Sequence, residues 1–155
     1  MTPVLLFTAG VVLLAAGTAL FLRGRAGRNQ IRRELSDQQI VFPPADDLPP
    51  ALAQHAGSSV TTGGQARAFS DLIATHLTRA TAGRTYAQIA AEWQVTGLTD
   101  ERLTRLRETA FVGQTLRGSL LGAYQAWQLT TLVTALGGLF GTIGLVFLAM
   151  GATWG

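Results

Sequence analysis

Two histidines, His55 and His76, two tyrosines, Tyr86 and Tyr124, and the adjacent carboxylates Asp46 and Asp47 are the residues of this chain best suited to metal or acid–base chemistry. Their spacing does not assemble a site. A zinc centre takes three or four protein ligands, and with two histidines and no cysteine the rest would be carboxylates whose spacing points nowhere. Asp71 and His76 are five residues apart, awkward for one helix face. Asp46 and Asp47 sit in FPPADDLPP, the setting of a solvated turn rather than of paired acid–base groups. TTGGQAR is glycine-rich but lacks the lysine and preceding strand of a phosphate-binding loop. The serines have no nucleophile-elbow context. No catalytic residue, no cofactor and no metal site is expected, so the reading is of a non-enzymatic protein. Without cysteine, disulfides and thiolate chemistry also drop out.

The distribution of charge is more informative than the chemistry. Charged residues make up 14% of the chain, none lies in residues 1–22, and none lies from Gly118 onward. Pro3–Leu22 reads PVLLFTAGVVLLAAGTALFL, twenty uncharged and mostly apolar residues. As a helix it is about 30 Å long, the thickness of a bilayer's hydrocarbon core. A signal peptide would carry its cations ahead of a shorter apolar core; here they follow, so a retained transmembrane helix over 1–22 is the reading. The second apolar stretch, about Leu120 to Met150, would be roughly 47 Å long as a helix. Tyr124 and Trp127 place its first turns at the headgroup layer, Trp154 marks the opposite interface, and 120–152 is interfacial start plus second span.

Five arginines, Arg23, Arg25, Arg28, Arg32 and Arg33, follow the first span against two carboxylates, Glu34 and Asp37. Basic excess at a span end marks the cytoplasmic side of a bacterial inner membrane and pairs with lipid headgroups. No basic residue follows the second span. Together these predict a multi-pass protein of the cell inner (plasma) membrane, with N- and C-termini outside and the intervening loop domain cytoplasmic. The pI near 10.6 invites nucleic acid as a partner, but the cations concentrate beside the apolar span, so no nucleic acid is expected.

Between the spans the chain divides into a basic juxtamembrane helix (23–41), a Pro/Gly/Ser-rich linker (42–64) and a small helical cytoplasmic domain (65–119). FPPADDLPP is expected to stop the first helix, and HAGSSVTTGG reads as flexible. A helix is expected from about Gln65, with Phe69, Leu72, Ile73, His76, Leu77 and Ala80 at helical spacing and Gly83 at its end. Thr85 and Gln88 fit a capping box for the next, whose apolar face is Tyr86, Ile89, Ala90 and Trp93. Thr99 fits an N-cap for the last, with Asp100 and Glu101 in its first turn. No proline interrupts that helix before the membrane, so it should run on into the second span. The fold class is an all-α membrane protein: an antiparallel hairpin of two transmembrane helices with a small helical domain between them.

Gly137, Gly141, Gly144 and Gly151 fall on one face of the second span, and Gly10 and Gly17 are seven apart in the first. In lipid, small residues let helix backbones approach closely, so these glycines are expected to pack on another helix, either within the chain or on a partner. Neither span contains an ionisable residue, which argues against a transporter or pump acting alone. Thr130, Thr131, Thr134 and Thr142 are expected to bond back along their own helix.

RNQIRRELSDQQIVFPP, TYAQIAAEWQ and RETAFVGQTLRGSLLGAYQAW resemble a family of small, largely uncharacterised two-span membrane proteins of actinobacteria and their relatives. The likeness extends in patches from about Arg28 to Trp127. GQTLRGSLLGAY is its most distinctive part, and relatives tend to carry glutamate where this chain has Gln114. Some are described as aromatic-ring-opening dioxygenases, which hold iron with two His and a carboxylate or with two Tyr and two His. Here Tyr124 reads as interfacial, Tyr86 as core-like and His55 as part of the linker, so spacing gives no support to an iron site. The resemblance implies the two-span topology and adds no chemistry. The expected function is that of an accessory or structural subunit of an inner-membrane assembly, with the bilayer and other membrane subunits, or further copies of itself, as partners. The alternative is a homo-oligomeric membrane adaptor whose cytoplasmic helices recruit a soluble partner, and a weaker one is a membrane enzyme with a site in the loop domain.

Overall fold

The computed structural model describes residues 2–97 and 99–153, and Trp154, read above as an interfacial marker, lies outside them. Four α-helices account for most of the chain: α1 (Thr2–Asp37), α2 (Gly63–Ala80), α3 (Tyr86–Val95) and α4 (Glu101–Thr153). Two short 3-10 helices, Ala45–Asp47 and Pro50–His55, precede α2. Among the described residues β-pairing is limited to one isolated antiparallel bridge, Val41 to Ser59. Two helices, α1 and α4, are long and apolar enough to cross a membrane. The chain forms two compact units, one of 1–34 with 126–155 and the other of Leu35–Gln125.

α1 runs unbroken from the charge-free stretch through the arginines. It stops at Asp37, ahead of the prolines expected to stop it. Gln39 turns left-handed with φ 52° and donates its N–H to the Ser36 carbonyl at 3.0 Å. A local left-handed cap of this kind ends a helix without proline.

In the 35–125 unit, the segment expected as a linker carries part of the core. Phe42, Leu48 and Val60 are buried, and Val60 is fully so. Phe42 donates its N–H to Ser58 and Val60 donates to Ile40, at 2.9 and 2.8 Å, which fastens 40–42 to 58–60. The Phe42 ring stacks on His55 with centroids 5.0 Å apart and meets Phe69 edge-on at 5.1 Å. His55 is therefore an aromatic packing partner.

Each of the next three helices starts at a side-chain cap. Thr62 accepts from the Gln65 N–H and forms a capping box, so α2 begins two residues before Gln65. It ends as Gly83, at φ 78°, donates its N–H to Thr78 at 2.8 Å. Thr85 and Gln88 form the second capping box at the start of α3. For α4 the capping group is Asp100, not Thr99: its Oδ1 accepts from the Leu103 N–H at 3.0 Å, whereas Thr99 Oγ1 donates to the Thr96 carbonyl. A carboxylate at this position also faces the positive end of the helix dipole.

Ile89, Leu103 and Ala110 form a core between α3 and α4, with Trp93 and Leu106 against it. Trp93 Nε1 donates to Thr104 Oγ1 at 2.9 Å, and the Arg107 guanidinium lies 3.9 Å from the Trp93 ring centre. Arg84 pairs with Glu92 at 2.6 Å. Tyr86, expected on the buried face of α3, is 39% exposed, with its ring 6.0 Å from that of Phe111.

Candidate functional site

The feature with the most specific geometry is the glycine seam of the 1–34/126–155 unit. A Cβ on Gly10 would fall 2.9 Å from the Gly144 carbonyl oxygen, and one on Gly144 would fall 2.9 Å from that of Gly10. Gly17 and Gly137 form the same reciprocal pair at 2.8 Å. Further along, Gly151 faces the Pro3 carbonyl at 3.2 Å, and Gly24 faces that of Thr130 at 3.0 Å as well as the Thr134 hydroxyl. Every step of seven along α1 is matched by a step of seven back along α4, so these segments run in opposite directions.

At Gly17, Gly137 and Gly144 the nearest atoms in the way of a side chain are all backbone, and backbone cannot rotate aside. A carbonyl along the direction of a glycine's missing Cβ suits a Cα–H···O contact, a weak attraction of about 0.5–1 kcal/mol each. A seven-residue repeat of close contacts is also the pattern that keeps two helices together over several turns.

Gly141 differs from its neighbours. A Cβ there meets nothing within 4 Å; its backbone N and Cα instead receive Gly17. It belongs to the seam as a platform rather than as a gap. Gly24 was missed because the apolar span ends at Leu22; its signal is its place seven residues beyond Gly17. The threonines bond along their own helix: Thr130 and Thr131 donate to the Trp127 carbonyl, Thr134 to that of Thr130 and Thr142 to that of Gly138.

Where the seam leaves the apolar stretch, Arg28 takes over. Its guanidinium donates to Thr131 Oγ1 at 2.7 Å and lies 5.1 Å from the Trp127 ring centre. Arg32 approaches the same ring at 6.0 Å, and Arg25 lies 5.4 Å from the Phe21 ring. Arg23 and Arg33 are exposed. Trp127 is thus a cation–π platform for two of the five arginines. Tyr124, in the other unit, is one as well, with Arg67 at 5.2 Å.

Of the chemistry-bearing residues of the 35–125 unit, His76, Asp46 and Asp47 come to the rim of one pocket, while His55, Tyr86 and Tyr124 do not line it. His76 borders a mostly apolar cleft of about 640 Å³ with Ile73, Leu77, Arg105, Glu108 and Val112. It also borders a polar pocket of about 460 Å³ with Asp46, Asp47, Thr75 and Arg79. No group of three or more His, Asp or Glu side chains among the described residues is placed to hold a metal ion. His55 is committed to Phe42 and Tyr124 to Arg67. In a search of protein-family models, curated proteins and solved structures, the chain matched none of them significantly.

Proposed function

We propose that this chain is a two-span integral membrane protein of the inner membrane, acting as a non-enzymatic accessory or structural subunit of a larger assembly. In this reading α1 and the second half of α4 form an antiparallel transmembrane hairpin. The arginines after Leu22 lie at the cytoplasmic rim, the 35–125 unit is cytoplasmic, and both termini are outside.

One observation carries the reading. Only 11% of the most apolar window of each long helix is buried within the chain. A core helix of a soluble protein would be mostly covered. Here Val4, Leu5, Val12, Leu22 and Leu129 are each more than 60% exposed, although the backbones of the two segments touch. Water tolerates no such continuous apolar surface on a monomer, whereas lipid solvates it and leaves backbone packing to hold the helices.

The occupied seam bears on how a partner would bind. Gly10, Gly17, Gly137 and Gly144 already face each other, so a further subunit would use an outward face. One is the shallow groove along Val11, Leu14, Ala15, Thr18, Ala19 and Leu22. The second reading, an adaptor that recruits a soluble partner, is favoured by Phe111, Val112 and Leu116, each more than half exposed in the 35–125 unit.

Reporter fusions at each terminus and at Ser58 test the topology: the termini should report outside and Ser58 inside. Isolation in mild detergent with identification of co-purifying chains separates the two functions. An accessory subunit elutes with other membrane polypeptides, an adaptor with itself and a soluble protein. A protein that stays dispersed in water without detergent would sink both.

A further inference from the structure

We propose that Arg28, with Arg32, Trp127 and Thr131, forms a site for the phosphate headgroup of an anionic phospholipid. The inference rests on the membrane reading above and adds a specific ligand to it. General attraction between a basic stretch and a charged bilayer needs only exposed, mobile cations. Arg28 is neither. It is half-buried, held to Thr131 Oγ1 at 2.7 Å and stacked over Trp127.

Its donors are not used up. A guanidinium carries five N–H groups and cannot lose its charge in a protein. Thr131 takes one and Nε is shielded from solvent, which leaves the remaining N–H groups of the two terminal nitrogens for a ligand. Arg28 makes no ion pair with any described residue.

A second guanidinium, that of Arg32, is brought to the same indole one helical turn away. Like charges at this spacing repel, and a bound phosphate would offset that repulsion. Phosphate oxygens match the guanidinium fork, and the arginines begin where the charge-free span ends, at headgroup depth. A choline headgroup would need an aromatic face for its own cation, and the Trp127 ring already carries guanidiniums. That favours phosphatidylglycerol-like lipids over phosphatidylcholine.

The test uses the purified full chain in mild detergent, with phosphatidylglycerol and phosphatidylcholine of matched acyl chains added in equal amounts. Bound lipid is read by native mass spectrometry. The expected preference for phosphatidylglycerol is at least about fivefold, the contribution of one membrane-surface cation. Arg28→Gln should abolish it and Thr131→Val should reduce it. Arg23→Gln, which alters an exposed arginine, should leave it in place. Arg28→Lys keeps the charge but not the planar fork and should also lose most of it, which guards against a glutamine variant that fails to fold. Equal occupancy by the two lipids, or equal losses from Arg23→Gln and Arg28→Gln, would overturn the site. Displacement of the lipid by excess inorganic phosphate would assign the site to free phosphate instead. Insertion into purely phosphatidylcholine vesicles, followed by alkaline extraction, is measured alongside. A chain that resists extraction but shows no lipid preference loses this site alone, and one that fails to insert loses the membrane reading with it.

Discussion

In the unit of 1–34 and 126–155, helices meet where side chains are missing; in the unit of 35–125, they meet where side chains are large. The first joins Gly10 to Gly144 and Gly17 to Gly137 through their backbones and leaves its leucines and valines facing outward. The second buries Phe42, Val60, Ile89 and Leu103 and turns its charges out. On the membrane reading proposed above, the physical reason is the solvent each unit suits. In water, burying apolar side chains is the main driving force, about 25 cal/mol per Å². In lipid that force vanishes between helices, and close contact over small residues is what remains. One chain carries both solutions, and they respond to side-chain volume with opposite sign.

Four substitutions test that contrast, each read as thermal or denaturant unfolding of the full chain in detergent. Ile89→Ala should have the largest effect, a loss of about 3–4 kcal/mol, because a fully buried side chain leaves a cavity. Gly137→Ala should follow with a loss of about 2 kcal/mol from overpacking. Its new methyl falls 2.5 Å from the Phe21 N and 2.8 Å from the Gly17 oxygen. Asp100→Ala should cost about 1 kcal/mol as a lost cap, with Thr99→Ala near neutral. Gly141→Ala should be the smallest, neutral or stabilising by up to about 1 kcal/mol from helix propensity alone. If Gly137→Ala and Gly141→Ala behaved alike, backbone contact would not be what holds the first unit together.

The helices were legible because their signals are local. Twenty uncharged residues, the Thr85–Gln88 box and Gly83 each act within a few positions of the chain. The Phe42–His55–Phe69 cluster was not, because single buried aromatics among prolines and glycines have no period, and the pairing of 40–42 with 58–60 spans a loop. The seam was legible as a glycine face, but the division of labour within it was not. Gly137 and Gly141 look equivalent in sequence. Only the direction of each missing Cβ tells a residue that must stay small from one that merely offers its backbone. The arginines were legible as a basic cluster, while the indole and hydroxyl that hold Arg28 lie about a hundred residues away.

The evenly repeated glycines have a drawback: their rungs are interchangeable. Slide one helix past the other by one heptad, about 10.5 Å, and Gly10 meets Gly151, Gly17 meets Gly144 and Gly24 meets Gly137, a ladder as narrow as the native one. Glycines alone do not choose between these registers. In the slipped pairing Arg28 would come opposite Thr134 and Gly138, without the indole or the Thr131 hydroxyl it holds now. A polar contact at one end of an otherwise uniform interface can fix alignment, and the contacts of Arg28 with Thr131 and Trp127 favour the native register over the slipped one.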